Sequence, residues 1–231
     1  MTVVSTLVDE AKFNISEDGI SLRAVDPAHV AMIDMSLKSS AFENYKASEN
    51  ELGIDITKML DVLKLAKPSD IITINHDEEK NRLILKIANI TRSMSLVDTT
   101  GMVEPKVPNL SLPVKVVVST SELSQGIKAS EAISDHISLS ATTDGFELAS
   151  EGDTDAVKLN LPKELLDELE CKENVKSLFS LDYFSNMVKS AQSSSTITMN
   201  LGTDFPVKIE FPIATDNGQV NYLLAPRIES E

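Results

Sequence analysis

Apolar residues recur along this chain with two different periods. In "GISLRAV" (residues 19–25), "HVAMIDMSL" (29–37), "DIITIN" (70–75), "RLILKIA" (82–88) and "RSMSLVD" (92–98) they alternate with polar ones or cluster as β-branched runs, which predicts strands. The second half gives a similar set: "VKVVV" (114–118), "HISLSAT" (136–142), "GFELAS" (145–150), "AVKLNL" (156–161), "STITMNL" (195–201), "VKIEF" (207–211) and "VNYLL" (220–224). So many strands imply antiparallel sheet. Elsewhere the period is helical. Ile56, Met59, Leu60 and Leu63 fall at i, i+3, i+4 and i+7 and predict a one-faced helix over 55–67. Leu181, Phe184, Met187, Val188 and Ala191 do the same over 181–191. A third helix is predicted over 120–133, opened by Ser119-Thr120-Ser121-Glu122 and carrying Leu123, Ile127 and Ile133. "VVSTLVDEA" (3–11) resembles the end of a fourth.

The pattern repeats. Lys64, Ala66, Ile72 and Thr73 recur as Lys189, Ala191, Ile197 and Thr198, each 125 residues later. Asp18-Gly19 recurs as Asp144-Gly145, 126 residues later. Two pairings that agree to one residue imply two similar α+β halves, residues 1–98 and 114–231. Between them, residues 99–113 ("TTGMVEPKVPNLSLP") hold too many prolines for regular structure. Met102, Val103, Val107 and Leu110 make this linker apolar, unlike a Gly/Ser spacer. It reads as a strap lying on a surface that partners contact.

Composition adds boundaries. The 231 residues are 42% hydrophobic and 25% charged, enough for a sizeable core. No apolar run approaches the roughly 18 residues of a membrane span, and no signal-peptide pattern opens the chain. The single Cys171 excludes an internal disulfide and suits a reducing compartment, so the sequons at Asn14, Asn89 and Asn109 carry no expectation of glycosylation. The net charge of −15 argues, taken simply, against nucleic acid.

Candidate chemistry is thin. Glycine-rich phosphate loops are absent, and His29, His76 and His136 lack the spacing of a zinc site. "NHDEEKN" (75–81) reads as a solvated hairpin turn, and "DGFELASEGDTD" fails the calcium-loop pattern. The reading is a non-enzyme with no metal or cofactor. An acidic hydrolase built from two β-rich halves, using His136 or the acidic loop, is the rival from another class. The lysines are more informative. Lys58, Lys64 and Lys67 in the first half and Lys128 and Lys189 in the second fall on predicted helices. They are either solvated helix faces or a cationic surface that meets phosphates without base specificity.

"VDEAKFNI", "DGISLRAVDPAHVAMIDMSL", the strap, "FPVKIEFPIA" and the closing "YLLAPRIE" together resemble the proliferating cell nuclear antigen family, the sliding clamps of archaeal and eukaryotic replication. The resemblance spans essentially the whole chain. It implies two clamp domains with antiparallel sheets outside and helices inside. It also implies a trimeric ring around duplex DNA that serves replication and repair as a processivity factor. A homotrimer is expected; the alternative is a subunit of a heterotrimeric or checkpoint-type ring. Polymerase, clamp loader, flap endonuclease and ligase are expected to dock through PIP-type peptides. The location implied is the cytoplasm and nucleoid of an archaeon, or a eukaryotic nucleus.

Site residues carry over by motif. The peptide pocket is expected from Val25, His29, Val30 and Met32, from Val107 and Pro108 of the strap, from Pro206, and from Ala225, Pro226, Arg227 and Ile228. The strap and the tail would form opposite walls. For His29 a loop-capping role, and for Met32 simple core packing, are the competing readings. The subunit contact would pair residues 91–98, with Met94 and Leu96, against 155–161 of the next subunit, with Val157 and Leu159. Lys58, Lys64, Lys67, Lys128 and Lys189 would face DNA.

Two departures stand out. In the second half "HISLSAT" starts 22 residues after Val114, whereas only 11 residues precede "KFNI" in the first. The first copy therefore lacks an opening strand and part of a helix; a truncated start is expected, with a tolerated gap as the alternative. Asp61, Gln125 and Asp182 also stand where relatives often carry basic residues, so DNA contact should be weak and salt-sensitive.

Overall fold

A computed structural model describes residues 1–228, and every strand pairing in it is antiparallel. The first half runs α1 (Thr2–Ser5), β1 (Glu10–Ser16), β2 (Gly19–Val25), β3 (Ala31–Lys38), β4 (Asn50–Asp55), α2 (Ile56–Leu63), β5 (Ile72–Asp77), β6 (Arg82–Ile87) and β7 (Ile90–Ser95). The second runs β8 (Val114–Ser119), α3 (Thr120–Ser130), β9 (His136–Thr142), β10 (Gly145–Glu151), β11 (Ala156–Pro162), β12 (Glu168–Cys171), β13 (Val175–Ser180), α4 (Leu181–Ser190), β14 (Thr196–Leu201), β15 (Val207–Ile213) and β16 (Gly218–Leu224). The repeat is visible element by element: β4 and α2 begin 125 residues before β13 and α4, and β1 and β2 begin 126 before β9 and β10.

Each half carries the strand order β3-β2-β1-β4 or its copy β11-β10-β9-β13. Each also carries a meander, β5-β6-β7 or β14-β15-β16. Strand β16 pairs with β3 over seven residues, from Gly218↔Leu37 to Leu224↔Ala31. That ladder fuses the first half's sheet to the second half's meander in one nine-stranded sheet. The meander's inner face is dense, with Val207, Ile209, Phe211, Val220, Tyr222 and Leu224 all buried. At about 25 cal/mol per Å² of apolar surface, this face contributes much of the stability.

The helices form one layer. Helix α1 touches α2 and α4, and α4 touches α3. Helix α2 is capped by Asp55, whose carboxylate accepts from the Lys58 N–H at 2.9 Å. It buries Ile56, Met59 and Val62, while Leu60 and Leu63 pack at the margin of the core. In α4, Leu181, Phe184, Met187 and Val188 are buried as the period predicts. Gly126 of α3 is a packing requirement, because a Cβ there would lie 2.8 Å from Leu159 of β11.

Several expectations need correction. Helix α2 stops at Leu63, so Lys64 is its C-cap and Lys67 sits in the following turn, where its N–H donates to Asp70. Helix α3 stops at Ser130, leaving Ile133 in a turn. The Ser119 hydroxyl meets Ser121 at 2.7 Å and does not cap a backbone N–H. Strands β4, β12 and β13 have no counterpart in the sequence reading; they are short or interrupted by polar residues, and their partners define them.

Tyr222 ties the helix layer to the sheet. Its buried hydroxyl donates to the Val3 carbonyl at 2.6 Å and lies 2.9 Å from Ser190 and 3.2 Å from Thr6. Burial pushes its pKa up. Tyr222→Phe removes the bond that joins α1 to β16, leaves the Val3 carbonyl with the Thr6 hydroxyl alone, and takes a partner from Ser190. It should lower unfolding free energy by about 1–3 kcal/mol in urea titration, with an unchanged fold by circular dichroism.

Candidate functional site

The β2–β3 connection is held by one carboxylate. Asp26 is 2% exposed. It accepts from the N–H groups of Ala28 (3.0 Å), Val30 (2.8 Å) and Ala31 (2.7 Å), and from the hydroxyl of Tyr183 (2.6 Å). Burial alone would raise its pKa; the Tyr183 bond and the three backbone bonds outweigh it and hold the carboxyl below its ordinary value. The same bond pushes Tyr183 up to about 12. Tyr183 belongs to α4, so this contact fixes a loop of the first half onto a helix of the second. His29 adopts φ 58°, the left-handed turn that the looped backbone requires, and its side chain is exposed. That geometry fits the loop-shaping reading of His29. Asp26 and Tyr183 were invisible in the sequence, since a lone Asp in "AVDPAH" and a Tyr on a helix 157 residues away carry no joint signal.

The tail meets this loop. The Ala225 N–H donates to the Val30 carbonyl at 2.8 Å, and the Arg227 N–H to the Leu178 carbonyl at 2.7 Å. The chain therefore leaves β16 and crosses to the edge of β13. The counterpart in the first half is Val97, which bonds Gly53 at 2.8 Å. Ser177 holds a second loop to the same strand, donating to the Gly202 carbonyl and accepting from the Asp204 N–H, both at 2.8 Å. Pro206 follows directly and is half-buried. Val25 pairs with Met32 across β2–β3; Met32 is 7% exposed but stands on the opposite face of β3 from Ala31, Ile33 and Met35, outside the main core cluster. Val30 is 37% exposed and Ile228 75% exposed, so the apolar groups of loop and tail face outward. Residue Glu229 of the "LAPRIE" motif lies outside the described residues.

The strap is anchored at both ends. Glu104 accepts from Arg23 at 3.3 Å and from Asn14 at 3.4 Å, over the surface of β1 and β2. A hollow of about 170 Å³ beneath it is lined by Lys12, Arg23, Val25, Met102 and Glu104. At the far end Leu112 packs against Gly202. Val107 is 42% exposed and Pro108 is exposed. Among the described residues, no hydrogen bond joins the strap to the tail. The loop and tail are thus joined directly by hydrogen bonds, whereas among the described residues the strap makes none to either.

The candidate DNA-facing lysines sit on or just after the helix layer, and three are engaged by carboxylates. Lys58 meets Asp55 at 2.8 Å, Lys64 meets Asp61 at 3.7 Å and Lys189 meets Glu131 at 2.7 Å. Lys189, then the Ser185 hydroxyl, hold the Glu131 carboxyl below its ordinary value. Lys67 and Lys128 have no carboxylate within 4.0 Å among the described residues. Asp61, Gln125 and Asp182 are all exposed on the helices. A surface whose cations are partly paired attracts phosphate weakly.

Among the described residues, strands β7 and β11 are sheet edges with no partner on their outer side. Met94 is 5% exposed and packs into its own core, Leu96 lies against that core, and Val157 and Leu159 are half-buried. Ile90, at 46% exposed, is the free apolar residue of β7, which sequence reasoning missed.

The Asp26–Tyr183 bond sets a pH window. Asp26 is depressed, so its contribution is present above about pH 4 and is lost as pH falls through its folded value. Tyr183 is raised, so its contribution is present below about pH 10 and is lost as pH rises toward about 12. Tyr183→Phe should cost about 1–3 kcal/mol near neutrality. In chemical denaturation across pH, the gap from the unaltered protein should be level between these limits and narrow at both ends.

Comparison with known proteins places these features in a family. Residues 1–103 match the N-terminal domain of proliferating cell nuclear antigen, and residues 106–227 match its C-terminal domain. The chain is similar to a DNA polymerase sliding clamp of Methanocella arvoryzae, 46% identical over 99% of this chain and 93% of the relative. Its structure is similar to A. fulgidus PCNA bound to the C-terminal region of FEN-1, with TM-score 0.92, 32% identity, and coverage of 100% of this chain and 94% of that one. PCNA from Thermococcus kodakaraensis gives TM-score 0.90 at 29% identity, over 98% and 94% of the two chains. With both domain types matched in order along one repeated architecture, the chain belongs to the proliferating cell nuclear antigen family.

Proposed function

We propose that this chain is a sliding clamp whose subunits close head to tail into a homotrimeric ring around duplex DNA. The supporting observation is an asymmetry in the repeat. Strands β16 and β3 pair within the chain, whereas their copies β7 and β11 are both open edges. The same pairing made between chains satisfies both edges and leaves the next pair free to do the same, the heterologous contact that closes into a ring. Its register follows from the internal copy. Met35 opposes Val220 and Ile33 opposes Tyr222. Carried over by burial and ladder position, Leu159 opposes Ile90 of the next subunit, and Val157 opposes Arg92. In such a ring the helix layer with its lysines lines the hole. Topology then supplies retention, and sparse phosphate contact permits sliding.

The loop and tail support the second half of the reading, a docking site for partner peptides. Val30, Pro226 and Ile228 offer apolar surface on backbone fixed by Asp26 and β13, and the exposed Val107 of the strap is the candidate for a facing wall. The related A. fulgidus PCNA was solved with the C-terminal region of FEN-1, which favours a peptide-bearing partner of replication and repair for this surface.

Light scattering should give a particle of about three times 25.2 kDa. Ile90→Asp alters an exposed side chain, so it should leave the subunit folded and yield monomers. A trimer that persists in this variant overturns the proposed register. Separately, Ile228→Asp should weaken a PIP-type peptide about 10- to 100-fold in calorimetry while trimer mass is unchanged. Equal affinity would remove the tail from the site.

A further inference from the structure

The seam between the two halves of the chain and the proposed seam between subunits are copies, so residues of the first have counterparts in the second. Tyr183, the third residue of α4, corresponds to Lys58, the third residue of α2, 125 positions earlier. The β2–β3 loop corresponds to the β10–β11 loop. In the first the Asp26 N–H donates to the Ala31 carbonyl at 3.0 Å; in the second the Gly152 N–H donates to the Asp155 carbonyl at 2.9 Å. Ala31 opposes Leu224, so in the register proposed above Asp155 opposes Met94 of the next subunit. Within the chain Tyr183 reaches across the seam to Asp26. Between chains the same placement brings Lys58 to the Gly152–Asp155 loop of the neighbour.

The chemistry at the two seams differs. A Cβ at Gly152 would lie 2.5 Å from the Ile133 carbonyl, so no carboxylate can stand where Asp26 stands. Instead the loop carries Asp153 and Asp155, and Glu151 ends β10 before it. All three are exposed, and among the described residues none has a cation within 4.0 Å. On the other side, the Lys58 side chain is 63% exposed and meets Asp55 of its own helix cap at 2.8 Å. Arg92 of β7 is near enough to oppose its charge. Cations therefore flank the open β7 edge, and uncompensated carboxylates flank the open β11 edge.

We propose that Lys58 is a subunit-contact residue that pairs with Asp153 and Asp155 of the next subunit. The pairing rests on the ring proposed above, and it moves Lys58 from the DNA-facing set to the seam. One seam is then locked by a buried hydrogen bond and its copy is held by exposed ion pairs. Exposed charges are screened over about 8 Å at physiological ionic strength, whereas a buried bond is screened far less. Opposite charge steers subunits together and salt loosens them, while the seam within the chain is unaffected. A ring that admits an unbroken duplex must open somewhere, and the ionic seam opens without unfolding a subunit.

The test uses the full chain, with sedimentation over a dilution series to give the midpoint of trimer dissociation. At low salt Lys58→Glu should raise that midpoint about 5- to 10-fold, and Lys58→Gln should raise it less. At 0.5 M salt, the gap should shrink to about 2-fold or below. Adding Asp153→Lys and Asp155→Lys to Lys58→Glu reverses the pair and should return the midpoint to within about 2-fold of the unaltered chain. All three side chains are exposed, so the variants should fold, as checked by circular dichroism. An unchanged midpoint in Lys58→Glu overturns the pairing, and so does a swapped chain no tighter than Lys58→Glu alone. Weaker binding of duplex DNA by Lys58→Glu with an unaltered trimer also overturns it, since Lys58 then faces the duplex. An unaltered chain that stays monomeric at every concentration overturns the ring itself, whereas a stable ring indifferent to Lys58→Glu overturns the pairing alone.

Discussion

Backbone hydrogen bonding at sheet edges is the constraint on which this molecule depends. A strand edge exposes a row of N–H and C=O groups that must find water or another strand. The chain resolves this once internally, where β16 meets β3 and makes two repeats into one body. The same solution cannot be used a second time within the chain, because β7 and β11 belong to different sheets. Two complementary edges on one subunit, each the copy of an already compatible strand, imply assembly by repetition. The proposed ring would then be a property of the duplication rather than of an added interface.

A second consequence concerns the proposed partner site. The loop, the tail and the Gly202 loop are irregular backbone, and each is secured by a few hydrogen bonds from the regular elements behind it. Asp26 gathers three N–H groups and a tyrosine hydroxyl, while β13 receives Arg227 and, through Ser177, Gly202 and Asp204. This division leaves Val30 and Ile228 free of structural duty and open to solvent. A surface that binds peptides needs apolar groups exposed on a backbone that does not collapse over them, and buried polar anchors supply that rigidity.

Much of this was legible in the sequence because periodicity reports burial. The alternation in "VKVVV" and "HISLSAT" and the stripe of α4 each gave an element in place, and the 125-residue offset gave the architecture. Strands β4, β12 and β13 were missed for a physical reason: "NELGID", "ELEC" and "VKSLFS" are short or polar-interrupted, and their state is set by a neighbouring strand rather than by their own pattern. The extent of α2 was overread because Ala66 and Lys67 continue its composition beyond the C-cap at Lys64, where the backbone turns. The tail motif pointed to a site, but its support by β13 and Asp26 depends on contacts far apart in sequence, which no local signal encodes.

Net charge fits the same logic. A chain at −15 that binds DNA tightly would need a dense cationic face, and the helix layer does not provide one. Lys58, Lys64 and Lys189 each share their charge with a nearby carboxylate. All three lysine side chains are exposed, so in the proposed ring Lys64 and Lys189 are free to trade carboxylate for phosphate, and such surface pairs contribute little to stability. A lysine already paired with a protein carboxylate gains only the difference between two similar ion pairs when it turns to DNA. Such near-degenerate contacts flatten the energy along the duplex, since each is remade at every step at little net cost. For a ring that retains DNA by enclosure, that flatness is the useful property, and affinity would work against it.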